Sequence, residues 1–248
     1  MIEVDYIGQG TPDLSNKQNE NINYSGNTKT EKIALTLFRG GIFFTLAVLL
    51  WPVLMTASEV TGSIEEQLRQ ISEAPGLFIA NFFWASLIAP SILVLMLTFA
   101  RYTETRKQTP ITYRLCLFFL AGYFIFVSIS YMSQYLYFPR LLAEGNIEMA
   151  VAWYFGNELS RPYFLNQLGY FLFGIAAIII GFRLFFEPLL PRLIGITLWA
   201  SGLLCLFAFL GLILNIEWQG LISIFSGLLT LPMGILSIIW GRKKLQDN

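Results

Sequence analysis

The sequence contains no histidine. That absence removes histidine-ligated haem, HExxH zinc sites, Ser–His and Cys–His nucleophile pairs and any histidine proton relay. Cysteine is nearly absent too, with Cys116 and Cys205 the whole complement. Two thiols cannot build a disulfide framework, and each falls in an apolar stretch, so both are expected as buried free thiols. Charge is scarce: Asp, Glu, Lys and Arg make up 13% of the chain, against about 25% in soluble globular domains. No GxSxG or glycine-rich phosphate loop is present. No carboxylate pair shares the interior of an apolar stretch, which leaves neither an acid–base dyad nor a proton path. From this inventory no metal, no cofactor and no nucleic-acid partner is expected.

Apolar sequence is what the chain has in quantity, at 55% of its residues. It gathers into six stretches, near 38–58, 77–100, 111–137, 163–185, 190–213 and 218–240. Each supplies the about 20 helical residues needed to cross a bilayer. A soluble helix would show one apolar face, whereas these are apolar all round. Strands of a membrane barrel would be about ten residues long and strictly alternating. The expected fold is therefore all-α, a polytopic membrane protein with six transmembrane helices. Its parts are a flexible polar tail over 1–32, the six-helix domain over 33–242 and a short tail over 243–248. The first tail includes "NKQNENINYSGNTKT", lacks the apolar core of a signal peptide and is expected to be mobile.

Basic residues decide the expected orientation. Thirteen of the sixteen lie in the first tail, the loop between spans two and three, the loop between spans four and five, and the last tail. The other face holds Arg69, Arg140 and Arg161 against eight glutamates. Lys and Arg collect on the cytoplasmic side, so both termini are expected in the cytoplasm. The basic flanks suit anionic lipid. This topology puts the sequon Asn23-Tyr24-Ser25 on the wrong side for glycosylation. Two outer loops carry helical signals. Ser63 and Glu66 have the capping-box spacing, followed by Ile64, Leu68 and Ile71 at helical intervals. "RLLAEGNIEMAVAWYFGNE" is a second amphipathic segment. Both are expected along the outer membrane surface, with a lid over a cavity as the alternative.

Three further stretches carry a resemblance: "SEAPGLFIANFFW" entering span two, "LGYFLFGIAAIIIGFRLF" forming span four, and "PLLPRLIGITLWASGLLCL" entering span five. Over roughly residues 35–242 the chain resembles a bacterial six-helix membrane family known only as a domain of unknown function. The resemblance implies a bacterial inner-membrane protein with six helices, and no reaction. Some relatives have His and Asp just before the glycine of span four. Here those positions are Asn166 and Gln167, which weakens any mechanism based on titration.

Uncharged polar residues concentrate at the outer ends of the spans. Tyr131, Gln134 and Tyr135 crowd span three, Asn166, Gln167 and Tyr170 span four, and Asn81 starts span two at the same depth. They read either as an aromatic belt with interhelical hydrogen bonds, or as an outward-facing cavity that orients the polar head of a lipophilic ligand. Below them run small residues. Span six repeats glycine every seven residues, at Gly220, Gly227, Gly234 and Gly241, with Ser223, Thr230 and Ser237 between. Span four offers Gly174 and Gly181, and span five Gly195 and Gly202 or Thr197, Ser201 and Cys205. Small residues let backbones approach closely in lipid. Span six is therefore expected to pack its stripe on span four or five. Pro232, Pro90 and Pro52 are expected to bend spans six, two and one.

The leading functional expectation is binding, sensing or transport of a lipid or other lipophilic molecule from the outer leaflet. The alternative is a structural or partner subunit of a membrane complex, or a homo-oligomer, built on helix packing. An intramembrane enzyme using Glu158, Arg161 or a tyrosine ranks last.

Overall fold

The structure is a computed structural model and describes residues 14–107 and 110–247, with side chains described from residue 31 onward except at 105–110. Residues 1–13 of the polar tail lie outside the described residues, as do the side chains of the Asn23-Tyr24-Ser25 sequon. From Leu14 the backbone is helical, and this first helix, α1 (Leu14–Ala57), runs on without a break into span one. Six segments are long and apolar enough to cross a membrane: Glu31–Ala57, Pro75–Glu104, Ile111–Ala143, Arg161–Leu184, Leu189–Ile213 and Gln219–Gln246. The molecule is thus an all-helical multi-pass membrane protein.

Proline explains where two spans break. Span two consists of α3 (Pro75–Ser86) and α4 (Ile88–Lys107), parted at Leu87. Pro90 cannot donate to the carbonyl four residues back, on Ser86, so the helical ladder loses a rung there. Span six consists of α10 (Gln219–Leu228) and α11 (Leu231–Gln246), parted at Leu229 and Thr230. Pro232 lies in the first turn of α11, and the Thr230 hydroxyl donates to the Gly227 carbonyl at 2.6 Å. Pro52, by contrast, sits inside an unbroken α1. Spans three, four and five are α5 (Pro110–Leu136) extended by α6 (Phe138–Ala143), α8 (Arg161–Leu184) and α9 (Leu189–Ile213).

Span four packs against spans three and five. The α8–α9 seam is glycine against glycine. A Cβ on Gly174 would fall 2.8 Å from the Gly202 carbonyl oxygen, and one on Gly181 would fall 2.7 Å from that of Gly195. The span-six stripe behaves differently from expectation. Its lower half packs on span one, not on span four or five. A Cβ on Gly241 would lie 2.7 Å from the Ala34 carbonyl oxygen, and one on Gly234 would lie 2.6 Å from the Thr45 hydroxyl. Ser237, fully buried, donates to the Met233 carbonyl of its own helix. The upper half leaves this seam: around Gly220 and Gly227 a Cβ would meet nothing within 4 Å. The broken helix is the reason. After the Leu229–Thr230 break α11 follows α1, whereas α10 rests on α9.

One end of the bundle is capped by three short helices, α2 (Ile64–Glu73), α6 and α7 (Ile147–Trp153). Ser63 and Glu66 form the reciprocal capping box that their spacing predicts. Leu68 and Ile71 are buried against the bundle, while Ile64 is exposed. The apolar face of α2 therefore meets α3 and α6. Tyr154, just after α7, donates its hydroxyl to Gln67 Oε1 of α2 at 2.7 Å, tying the two caps together. Burial pushes that phenol up to about 12, so it stays protonated at any physiological pH.

Candidate functional site

Beneath the caps lies a cavity of about 340 Å³. That places it within the usual small-molecule range of about 300–1,000 Å³. Span one contributes Trp51 and Met55 to its wall, and α3 contributes Asn81 and Phe82. Span three contributes Tyr131, and span four Tyr163, Asn166, Gln167 and Tyr170. The upper half of span six closes the ring with Gly220, Ser223, Ile224, Ser226 and Gly227. A second space of about 230 Å³ shares Trp51, Tyr131, Tyr170 and Gly227 with the first. It runs deeper, among Val48, Ile88, Ile92, Phe173 and Thr230.

The helices position the polar groups by simple means. Ser160 caps α8, its hydroxyl accepting from the Tyr163 amide, and Pro162 follows in the first turn. The Ser130 hydroxyl of α5 donates to the Pro162 carbonyl at 2.7 Å and fixes the start of span four beside span three. From there Tyr163, Asn166, Gln167 and Tyr170 recur at three- and four-residue intervals and share a face. Gln167 Nε2 donates to the Ser223 hydroxyl at 3.2 Å, bridging spans four and six. Gln219 Nε2 donates to the Tyr163 hydroxyl at 2.8 Å. The Ser201 hydroxyl donates to the Ser226 carbonyl at 2.8 Å, holding α10 on span five. Around these groups Phe82, Tyr131 and Tyr163 each pack against the Phe155 ring, with centroids 5.3–5.9 Å apart.

Two polar groups stand apart. Asn81 Oδ1 and Asn166 Oδ1 are buried without a hydrogen-bond partner, on residues 7% and 5% exposed. Both residues line the cavity. A buried polar atom left unpaired costs about 1–3 kcal/mol. The chemistry available is hydrogen bonding without charge.

Of the residues singled out from sequence, Asn81, Tyr131, Asn166, Gln167 and Tyr170 line this space. Gln134 and Tyr135 do not. Gln134 is fully buried and donates to the Trp153 carbonyl at 2.8 Å, while its Oε1 accepts from the Phe155 amide at 2.9 Å. It is the clasp that holds the roof residue Phe155 in place. Tyr135 packs edge-on against Phe83, ring centroids 5.7 Å apart, away from the lining. Both corrections come from tertiary partners: the turn after α7 engages the Gln134 side chain, and Phe83 takes the Tyr135 ring. Glu158 and Arg161 border a separate surface depression beside Trp153 and Phe164, with the guanidinium 5.8 Å from the Trp153 ring.

Sequence reasoning missed Phe155, Trp51 and Met55, which face the cavity only through tertiary packing. It also passed over Glu187, a buried carboxylate between spans four and five at the opposite end, which accepts from the Tyr102 hydroxyl at 3.3 Å. The span-five turn "EPLLPR" carried that signal, as an acid lying between two apolar spans.

Neither a curated protein nor a solved structure matches this chain. One family model does match, over residues 38–242, and on that evidence the chain belongs to the family described as a domain of unknown function, DUF4386.

Proposed function

We propose that this membrane protein binds a lipophilic small molecule in the cavity beneath its caps, holding the molecule's polar head among Asn81, Asn166, Gln167, Tyr131 and Tyr170. The carrying observation is the pair of unpartnered buried amide oxygens, on Asn81 and Asn166, in the wall of a space of about 340 Å³. A polar group supplied by a ligand would satisfy them, and the deeper apolar space would take its tail. Holding, sensing and passing on such a molecule are all uses of this one site. The rival reading, a packing subunit, rested on the span-six stripe. Gly234 and Gly241 are taken by span one of the same chain, which confines that reading to the unpacked upper half of the stripe at Gly220 and Gly227.

The test uses the difference between stability and binding. Replacing Asn81 or Asn166 with leucine removes an unpaired buried amide oxygen, so the ligand-free protein should lose little stability. Binding should respond more strongly. Lipophiles that co-purify with wild type, measured by mass spectrometry of organic extracts, should fall at least about tenfold in Asn166→Leu, the equivalent of about 1.4 kcal/mol. Unchanged retention in both variants would remove the amides from the site.

The cap end faces outward on this reading, and the membrane is the bacterial inner membrane. The supports are the excess of Lys and Arg at the other end and the family resemblance. A cysteine placed at Glu144 should then react with an impermeant maleimide in intact cells, and one at Lys243 only after permeabilisation. The native thiols are buried and stay silent. The reverse pattern would invert the topology.

A further inference from the structure

Resting on the binding reading above, we propose that the ligand is an uncharged, hydroxyl-bearing, single-chain amphiphile that enters sideways from the bilayer between the upper halves of spans one and six.

The head chemistry follows from the lining. Among the described residues, the walls of both connected spaces carry no Lys, Arg, Asp or Glu. A charged head there would lose its hydration without gaining a counter-charge, at a cost far above that of a neutral polar group. Glu59 borders the neighbouring cleft at the cap end, so an anionic head arriving there also meets like charge. The groups on offer are amides and phenols. A hydroxyl both donates and accepts, so it can pair with an amide oxygen and, at the same time, with a neighbouring phenol. The deeper space, bounded by Val48, Ile88, Ile92 and Phe173, is apolar and suits one hydrocarbon chain.

The route follows from the broken sixth span. α11 runs along α1, but above the Leu229–Thr230 break α10 rests on span five and parts from α1. The wall between Met55 and Ile224 is left without side chains at Gly220 and Gly227, both half-buried, where a Cβ would meet nothing within 4 Å. Met55 and Ile224 themselves line the cavity yet are 40% and 50% exposed. They touch the interior and the lipid-facing surface at once, as the two sides of a lateral opening must.

The test uses the full chain in lipid nanodiscs, with 1-monooleoylglycerol as probe and oleate and lysophosphatidic acid as charged counterparts, read by native mass spectrometry. Gly227→Phe and Gly220→Leu start their side chains in open space, where a Cβ meets nothing within 4 Å, so both should keep the wild-type thermal midpoint, and either alone suffices if the other fails to fold. Wild type should take up monooleoylglycerol in preference to both charged probes, and the filled variants should take it up at least tenfold more slowly. If the filled variants take up monooleoylglycerol as fast as wild type does, the lateral route is wrong while the binding site stands. If wild type prefers oleate or lysophosphatidic acid, the uncharged head is wrong. If wild type takes up none of the three, the binding reading itself falls with this one.

Discussion

Gly241→Leu should cost the bundle about 3 kcal/mol or more, the upper end of overpacking penalties, while leucine at Gly220 should cost almost nothing. The two positions belong to the same heptad stripe and are indistinguishable by spacing. Their surroundings differ completely. A Cβ at Gly241 would fall 2.6 Å from the backbone nitrogen of Phe38 and 2.7 Å from the carbonyl oxygen of Ala34. Backbone cannot swing aside as a side chain can, so α1 and α11 must separate and their packing is lost along the seam. In lipid that packing is most of what joins two helices, because the hydrophobic drive between them is absent. At Gly220 there is no neighbour to displace. The chain supplies its own reporter: Cys116 and Cys205 are both buried, so a thiol-reactive dye follows unfolding in detergent. A Gly241→Leu midpoint equal to that of Gly220→Leu would contradict the span one–span six seam.

Gln134→Leu is the second large expectation, and it concerns the roof. Leucine nearly matches the side chain in size but leaves the Trp153 carbonyl and the Phe155 amide without their partners, at about 1–3 kcal/mol for each orphaned group. The damage should be local. Residues 154–160 connect α7 to α8 and lie over the cavity through Phe155, so hydrogen exchange there should accelerate by about tenfold or more, while the α8–α9 seam keeps its protection. Ser133→Ala removes one hydrogen bond to the same amide, from Gln134 Nε2 at 2.9 Å, and should have a much smaller effect. Exchange at Phe155 that does not change in Gln134→Leu would show that the roof is held by its ring contacts alone.

Both predictions turn on a distinction that local sequence does not carry. Gln134 and Asn166 are amides at similar depth, and sequence reasoning placed them in one cluster. The structure gives one a clasp and leaves the other's oxygen unpartnered. What separates them is the path of the α7 turn, which returns over α5 and brings its backbone to Gln134. No pattern within span three encodes where a turn twenty residues later will lie. The same holds for Phe155, whose position depends on Gln134, and for Trp51 and Met55, which reach the cavity only because α10 stands away from α1.

Much was nonetheless readable along the chain. Hydropathy and length placed six spans, because a bilayer demands about 20 apolar helical residues and leaves no other way to satisfy the backbone. Pro90 and Pro232 marked the breaks in spans two and six, since a missing amide hydrogen is a local fact, whereas Pro52 left α1 unbroken. Ser63 and Glu66 marked a helix start for the same reason. Of the glycine stripe only Gly234 and Gly241 meet another helix closely. Their partner was a different matter. Spans one, four and five all offer small residues, and periodicity alone cannot rank them. The break at Leu229–Thr230 does so, directing Gly234 and Gly241 onto span one and turning Gly220 and Gly227 to the rim of a cavity. Local chemistry thus settled which segments are helices and where they bend; packing between distant segments settled which faces close and which stay open.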